Sequence, residues 1–228
     1  ALSVVQSIST GVQPTACAVD PQDKFLFVTL HGNPTTGQGS ALQEYLIDAP
    51  TGSVTAPVPA ASLNGSQPTD VVVDPKGNTI YTTGERFDLV IPVSYDGVSG
   101  ALTVLTARHS GTRPTALAME PTGRFVYVTN LTDGTVTAFV ADPATGDLAV
   151  VGTVATGANP TAVAVDAGGR FIYILSSGAQ TATQYAIDDV TGTLTLGESL
   201  ATRASPNGVA FAKGANKLSV VPRSAVPP

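Results

Sequence analysis

Four polar residues are the strongest candidates for chemistry in this chain: His31, Glu85, Arg86 and Arg113. A guanidinium grips a carboxylate or phosphate through paired hydrogen bonds, and a histidine or glutamate moves a proton. Gln67, Asn130 and Asn159 join them as candidate ligand-binding side chains. The competing reading of every one is a solvated loop residue. No nucleophile elbow, metal-spaced His/Cys pair, phosphate loop or dinucleotide fingerprint is present, so neither a metal nor a cofactor is expected. These residues lie far apart in the chain, and only a fold that gathers them can make them a site.

The gathering element is a repeat. Pro114-Thr-Ala-Leu-Ala-Met-Glu-Pro-Thr-Gly-Arg-Phe-Val-Tyr-Val-Thr-Asn130 returns as Pro160-Thr-Ala-Val-Ala-Val-Asp-Ala-Gly-Gly-Arg-Phe-Ile-Tyr-Ile-Leu-Ser176. The same text starts near residues 14 and 68, and a degraded copy starts near 206. Successive spacings are 54, 46, 46 and 46 residues, and the long one holds an insertion around Gly32 to Ser40. Within a unit, Thr115–Glu120, Arg124–Asn130, Thr135–Asp142 and Asp147–Thr156 read as four short strands. Each is rich in small, β-branched or aromatic residues and bounded by Gly, Pro, Asn and Asp. No window carries a 3.6-residue apolar period, so essentially no helix is expected. Repeated four-stranded units of this length predict an all-β propeller, a single domain over residues 1–228. The small first-strand residues suit a crowded central channel, and Phe125, Tyr127, Phe171 and Tyr173 suit packing between blades.

That topology sorts the polar residues. Loops entering the first strand and loops joining the second to the third emerge at one end of the channel. Gln67, Arg113 and Asn159, each just before a repeat proline, should therefore ring one mouth with His31, Glu85 and Arg86. Asp20, Asp74, Glu120 and Asp166 end the first strands and should lie at the opposite end. Four carboxylates there resemble a cation site, but each more simply accepts N–H groups of its own Pro/Gly turn. Gly11, Gly65, Gly111 and Gly157 are expected at positive φ in the turn before each proline. His109 reads as an outer-rim residue.

Composition narrows the partners. The 228 residues are 43% hydrophobic but only 12% charged, and the net charge is −6. An acidic chain without a basic run repels a phosphate backbone, so nucleic acid is not an expected partner. No apolar run approaches a membrane span. Cys17, the one cysteine, is expected to be a small buried core residue, because Val71, Leu117, Val163 and Val209 occupy its place elsewhere. The Thr/Gly-rich, weakly charged surface points to a secreted, periplasmic or cell-surface protein.

Phe-Val-Tyr-Val-Thr-Asn130, Phe-Leu-Phe-Val-Thr29 and Ile-Tyr-Thr-Thr83 resemble the YVTN-type repeat, and the surrounding Gly-x-x-Pro-Thr and Pro-x-Gly-Arg pattern resembles the lactonase-type propeller superfamily. The resemblance covers almost the whole chain. It implies a ring of usually seven blades and, in the enzymes of the family, His, Glu and Arg groups at a channel mouth. None of the candidate residues aligns onto a family catalytic motif.

Five units of 46 residues match this length, which favours a compact ring of about five blades closed by residues 1–9 as the outer strand of the blade begun at Pro206. An open arc of a seven-bladed ring is the alternative. The bare scaffold favours a binding propeller that presents one loop face to a protein or glycan, or to a small-molecule ligand. The alternative is a lactone-processing enzyme, which requires His31 or Glu85 to lie within about 3 to 5 Å of an arginine.

Overall fold

The computed structural model describes residues 6–203 apart from 56–58 and 77, together with Pro206 and Gly208. These residues build four antiparallel sheets in chain order. The first blade holds β1 (Pro14–Val19), β2 (Phe25–Leu30) and β3 (Ala41–Asp48), with a split outer edge of β4 (Ser53–Val54) and β5 (Ala61–Ser62). The second holds β6 (Val71–Val73), β7 (Thr79–Gly84) and β8 (Leu89–Tyr95), edged by β9 (Leu102–Val104) and β10 (Arg108–His109). The third runs β11 (Pro114–Met119), β12 (Phe125–Asn130), β13 (Thr135–Ala141) and β14 (Leu148–Ala155). The fourth runs β15 (Pro160–Val165), β16 (Phe171–Ser176), β17 (Thr181–Ile187) and β18 (Leu194–Ala201). Among the described residues a single 3-10 turn, Glu85–Phe87, interrupts an otherwise all-β fold.

The recurring Pro-Thr and Val-Thr motifs have a physical reason. In the first, third and fourth blades the ladder between the first two strands shifts register after the proline, leaving Thr15, Thr115 and Thr161 in a bulge. Thr129 Oγ1 repairs the ladder there, accepting from Ala116 N at 3.1 Å and donating to Ala116 O at 3.1 Å. Thr29 does the same for Ala16. The bulged threonine is thereby freed to reach the next blade. Thr15 donates to Pro68 O, Thr115 to Pro160 O and Thr161 to Pro206 O, at 3.0, 3.1 and 3.0 Å. One motif thus ties successive first strands around the channel.

Apolar seams between blades form the core. Phe25, Phe27 and Leu42 of the first blade pack on Val71, Ile80 and Val93 of the second. Tyr81 and Val90 pack on Leu117, Val126 and Phe139, and Phe125 and Tyr127 on Ile172 and Tyr185. Tyr81 and Tyr127 also donate to Gly146 O and Gly192 O, both at 3.2 Å, the positive-φ glycines of the next blade's Thr-Gly turns.

Three expectations need correcting. Cys17 is exposed, whereas its counterparts Val71 and Leu117 are buried. Those two pack against residues of the preceding blade, and no blade precedes Cys17 among the described residues. Of the four turn glycines, only Gly65 has positive φ. The left-handed conformation falls instead on Gln13, Gln67, Arg113 and Asn159, with φ of 53°, 58°, 56° and 53°. Glycine is needed at 111 for a different reason, since a Cβ there would stand 2.6 Å from Asp133 Oδ2 and 2.7 Å from Asn130 Cγ. The split outer edges of the first two blades were also not expected. Of the outer strand assigned to residues 1–9, residues 1–5 lie outside the described residues and 6–9 form no strand, while the closing blade beyond Pro206 lies almost wholly outside them. Gln6 exchanges two hydrogen bonds with the backbone of Val54.

Candidate functional site

Each blade builds its share of the mouth with one repeated device. The first residue past the second strand donates its N–H to the carbonyl of the residue before the repeat proline. The pairs are His31 to Gln13 (2.9 Å), Glu85 to Gln67 (3.2 Å), Leu131 to Arg113 (2.9 Å) and Ser177 to Asn159 (2.8 Å). The two loop classes are therefore joined at one end of the strands. Asp20, Asp74, Glu120 and Asp166 follow the other end of the first strands, as the topology requires.

Three mouth residues from three consecutive blades meet. Glu85 Oε1 accepts from Arg113 Nε at 2.8 Å and from Arg113 Nη2. Glu85 Oε2 faces His31 Nε2 at 3.8 Å. The His31 and Glu85 side chains are largely shielded, whereas half of Arg113 remains exposed, so the guanidinium is the part that meets solvent. His31 Nδ1 is buried without a protein partner. Asp88, in the left-handed conformation at the end of the 3-10 turn, accepts from the backbone N–H of Arg113 at 2.9 Å and fixes the strand entry. The arrangement sets a guanidinium on one oxygen of a carboxylate and an imidazole near the other, which suits polarising a carbonyl and moving a proton.

The other candidates are engaged in structure. Arg86 Nη1 donates to Thr36 O. The Gln67 amide donates to Asn33 O at 3.0 Å and Pro34 O at 2.7 Å. Both clamp the first-blade insertion onto the second blade. Asn130 is fully buried. Its oxygen accepts from Ser110 Oγ and Gly111 N, and its amino group donates to Thr135 and Thr137. Those four bonds use every amide hydrogen and lone pair, so Asn130 stiffens its blade. The Asn159 side chain is exposed at the mouth, and its carbonyl also accepts from Ser177 Oγ. His109 lies exposed on the outer strand β10.

The four strand-end acids are buried and bind their own turns. Asp20 Oδ1 accepts from Lys24 N and Phe25 N, both at 2.6 Å, and Asp166 Oδ1 from Arg170 N and Phe171 N. Burial alone would raise the Glu120 carboxyl, but hydrogen bonds from Thr122, Arg124 and Phe125 hold it below the ordinary value. Among the described residues no cluster of three metal-binding side chains occurs, and no helix is long and apolar enough to cross a membrane.

Two further features were not read from the sequence. Asp70 replaces the alanine that follows Pro-Thr in the first, third and fourth blades. Burial pushes its carboxyl up, although Val71 N and Leu117 N, the latter in the third blade, both donate to it at 2.9 Å. That break in the Pro-Thr-Ala pattern was the available signal. The insertion also opens a cavity of about 390 Å³, lined by Thr36 to Ala41 together with Ala60, Ser62, Asn64 and Gly65.

Residues 45–211 match the lactonase family of seven-bladed β-propellers. The chain belongs to that family. Among solved structures, a Lactobacillus plantarum protein superposes with a TM-score of 0.79 at 20% identity, over 90% of this chain and 63% of its own. The periplasmic gluconolactonase PpgL of Pseudomonas aeruginosa gives 0.71 at 23% identity, over 87% and 56%. A Bacteroides uniformis protein provisionally assigned as a 6-phosphogluconolactonase gives 0.76 at 20%, over 86% and 57%. The chain thus spans between 56% and 63% of the length of these structures. Among curated proteins, none matches the sequence. Four blades of the lactonase-family architecture are described here.

Proposed function

We propose that this lactonase-family chain takes part in opening a lactone at the His31–Glu85–Arg113 mouth. The observation that carries the reading is Glu85 held between an imidazole and a guanidinium from the two neighbouring blades. The family and its neighbours support this reading over a pure binding scaffold, the choice that the bare repeats favoured. In the proposed reaction the exposed face of Arg113 polarises the lactone carbonyl and stabilises the oxyanion that forms as water adds. The His31–Glu85 pair takes the proton of the attacking water. The tetrahedral intermediate then expels the ring oxygen, which regains that proton, so lactone and water give one hydroxy acid.

The test is a pH-stat assay of lactone hydrolysis by the 228-residue chain and its Arg113→Ala variant. Opening above the uncatalysed rate that falls on removing Arg113 supports the proposal. Equal rates for the two proteins would discard Arg113 as the electrophile, and no acceleration by either would discard lactone opening by this chain.

A further inference from the structure

We propose that Asn64 is a self-modification site, where the folded protein converts the side-chain amide to a carboxylate through a cyclic imide formed with Gly65. The site is independent of the lactone chemistry at the mouth. Gly65 N attacks Asn64 Cγ and bonds to it, the Cγ–Nδ2 bond breaks, and ammonia leaves with the proton that Gly65 N gives up. Water then opens the imide ring on either side of its nitrogen. Cleavage at Cγ leaves aspartate, and cleavage at the main-chain carbonyl leaves isoaspartate, with a carbon added to the main chain. The balance is amide and water to acid and ammonia, with nothing oxidised or reduced.

The local backbone is suited to this reaction. Ser66 N donates to Leu63 O at 3.0 Å, and Asn64 and Gly65 between them hold φ of 51° and 78°. Two positive φ values in succession mark a type I′ turn, which Asn-Gly favours. Closing the imide fixes the Asn64 ψ at about −120°, the value at the first central position of a type II′ turn. Turning over the single peptide group between residues 64 and 65 exchanges one turn for the other. The Asn64 φ stays positive, the bond from Ser66 to Leu63 survives, and glycine accepts its new φ at no steric cost. Cyclisation therefore needs no unfolding.

The surroundings leave that peptide group free to turn. Among the described residues neither Gly65 N nor Asn64 O takes part in a hydrogen bond, and the exposed Asn64 amide is likewise unbonded. A Cβ on Gly65 would meet no atom nearer than 3.7 Å, and the cavity of about 390 Å³ opens on this side. Each other described asparagine lacks a requirement. Asn33 and Asn159 precede prolines, which have no N–H to attack with. Asn130 has its amide fully bonded, and Asn78 precedes Thr79, whose branched side chain crowds its N–H. Asn207 and Asn216 lie outside the described residues.

The product bears on the mouth. Gly65 Cα and Arg86 Nη1 stand 2.8 and 2.7 Å from the point that a Gly37 Cβ would occupy, so the new charge arises one residue from a neighbour of that guanidinium. Ser66 O and Gln67 O hold the N–H groups of Arg86 and Glu85 at 3.1 and 3.2 Å. The extra main-chain carbon of isoaspartate enters just ahead of these two anchors.

The experiment incubates the 228-residue chain and a synthetic peptide of residues 60–68 side by side at neutral pH, and reads conversion at Asn64 by mass-spectrometric peptide mapping. Types I′ and II′ both suit a two-residue connection, so the folded chain should convert within about tenfold of the peptide rate. A slower folded rate would overturn the site. The Gly111→Val variant separates reaction in the folded state from reaction after unfolding. It should convert Asn64 at the wild-type rate. A rate that climbs with its unfolded fraction would mean that the native turn protects Asn64, and would refute the proposal.

Discussion

Glu85 of the second blade and Arg113 of the third share two hydrogen bonds, one of them from Arg113 Nε at 2.8 Å. The bonded edge of the guanidinium is thus fixed, and Nη1 takes no part in either bond. Because half of Arg113 is exposed, this pair contributes little to stability and is retained more readily for what it orients.

Glu85→Ala should accordingly separate activity from folding. The melting transition should move by less than about 1 kcal/mol, the range of partly exposed ion pairs. Lactone opening should fall by about a hundredfold or more in kcat/KM, the scale of a lost proton-transfer or orienting group. Thermal unfolding and pH-stat kinetics on one preparation check both halves.

Glu44 makes stability depend on pH. Burial against the Gly100 turn pushes its carboxyl up to about 7, a rise that Lys24 opposes and Asp20 reinforces. An acid whose folded pKa exceeds its unfolded one favours folding while protonated. The stabilisation it gives is complete below the ordinary value of 4.5 and fades as pH climbs toward 7. Denaturant midpoints should fall between pH 5 and pH 8 by the equivalent of about 1 to 3 kcal/mol, and Glu44→Gln should flatten that slope.

Gly111→Val should destabilise by about 1 to 3 kcal/mol, through overpacking rather than through φ. The added side chain would displace Asn130, whose four hydrogen bonds hold the second and third strands to the blade entrance. Pairing it with Asn130→Ala/Asp133→Ala, which removes both groups nearest the added Cβ, should give a cost smaller than the sum of the two changes made separately. Additive costs in urea melts would refute the clash.

Thr115→Val keeps the shape of the bulged residue and removes its hydroxyl. The tie to Pro160 O and the contact with Thr129 both disappear, for about 1 kcal/mol of stability. Hydrogen exchange should report looser protection at the seam of the third and fourth blades, and unchanged protection at the first seam.

Much of this fold is readable in one dimension, because each blade repeats the same local solution. The strand bounds in the third blade, the turn-bound acids and the grouping of His31, Glu85 and Arg113 at one mouth follow from repeat alignment and the alternation of loop ends. What escaped notice depends on neighbours rather than on the residue itself. Asn130 reads as a free loop amide until Gly111 and Thr137 arrive beside it. Cys17 reads as core because its counterparts have a blade behind them. The left-handed conformation was assigned to glycines, yet close approach claims Gly111, while the bend falls on the residue before the proline.

Those bent residues have a consequence for how such a mouth changes over time. Gln13, Gln67, Arg113 and Asn159 differ in size and charge, yet all hold φ between 53° and 58° and all receive the same backbone bond. The main chain there acts as a socket, indifferent to the side chain plugged into it as long as that side chain is not β-branched. A single codon change can therefore exchange a cation for an amide at the rim without disturbing the ring beneath. Substrate preference becomes separable from architecture, position by position.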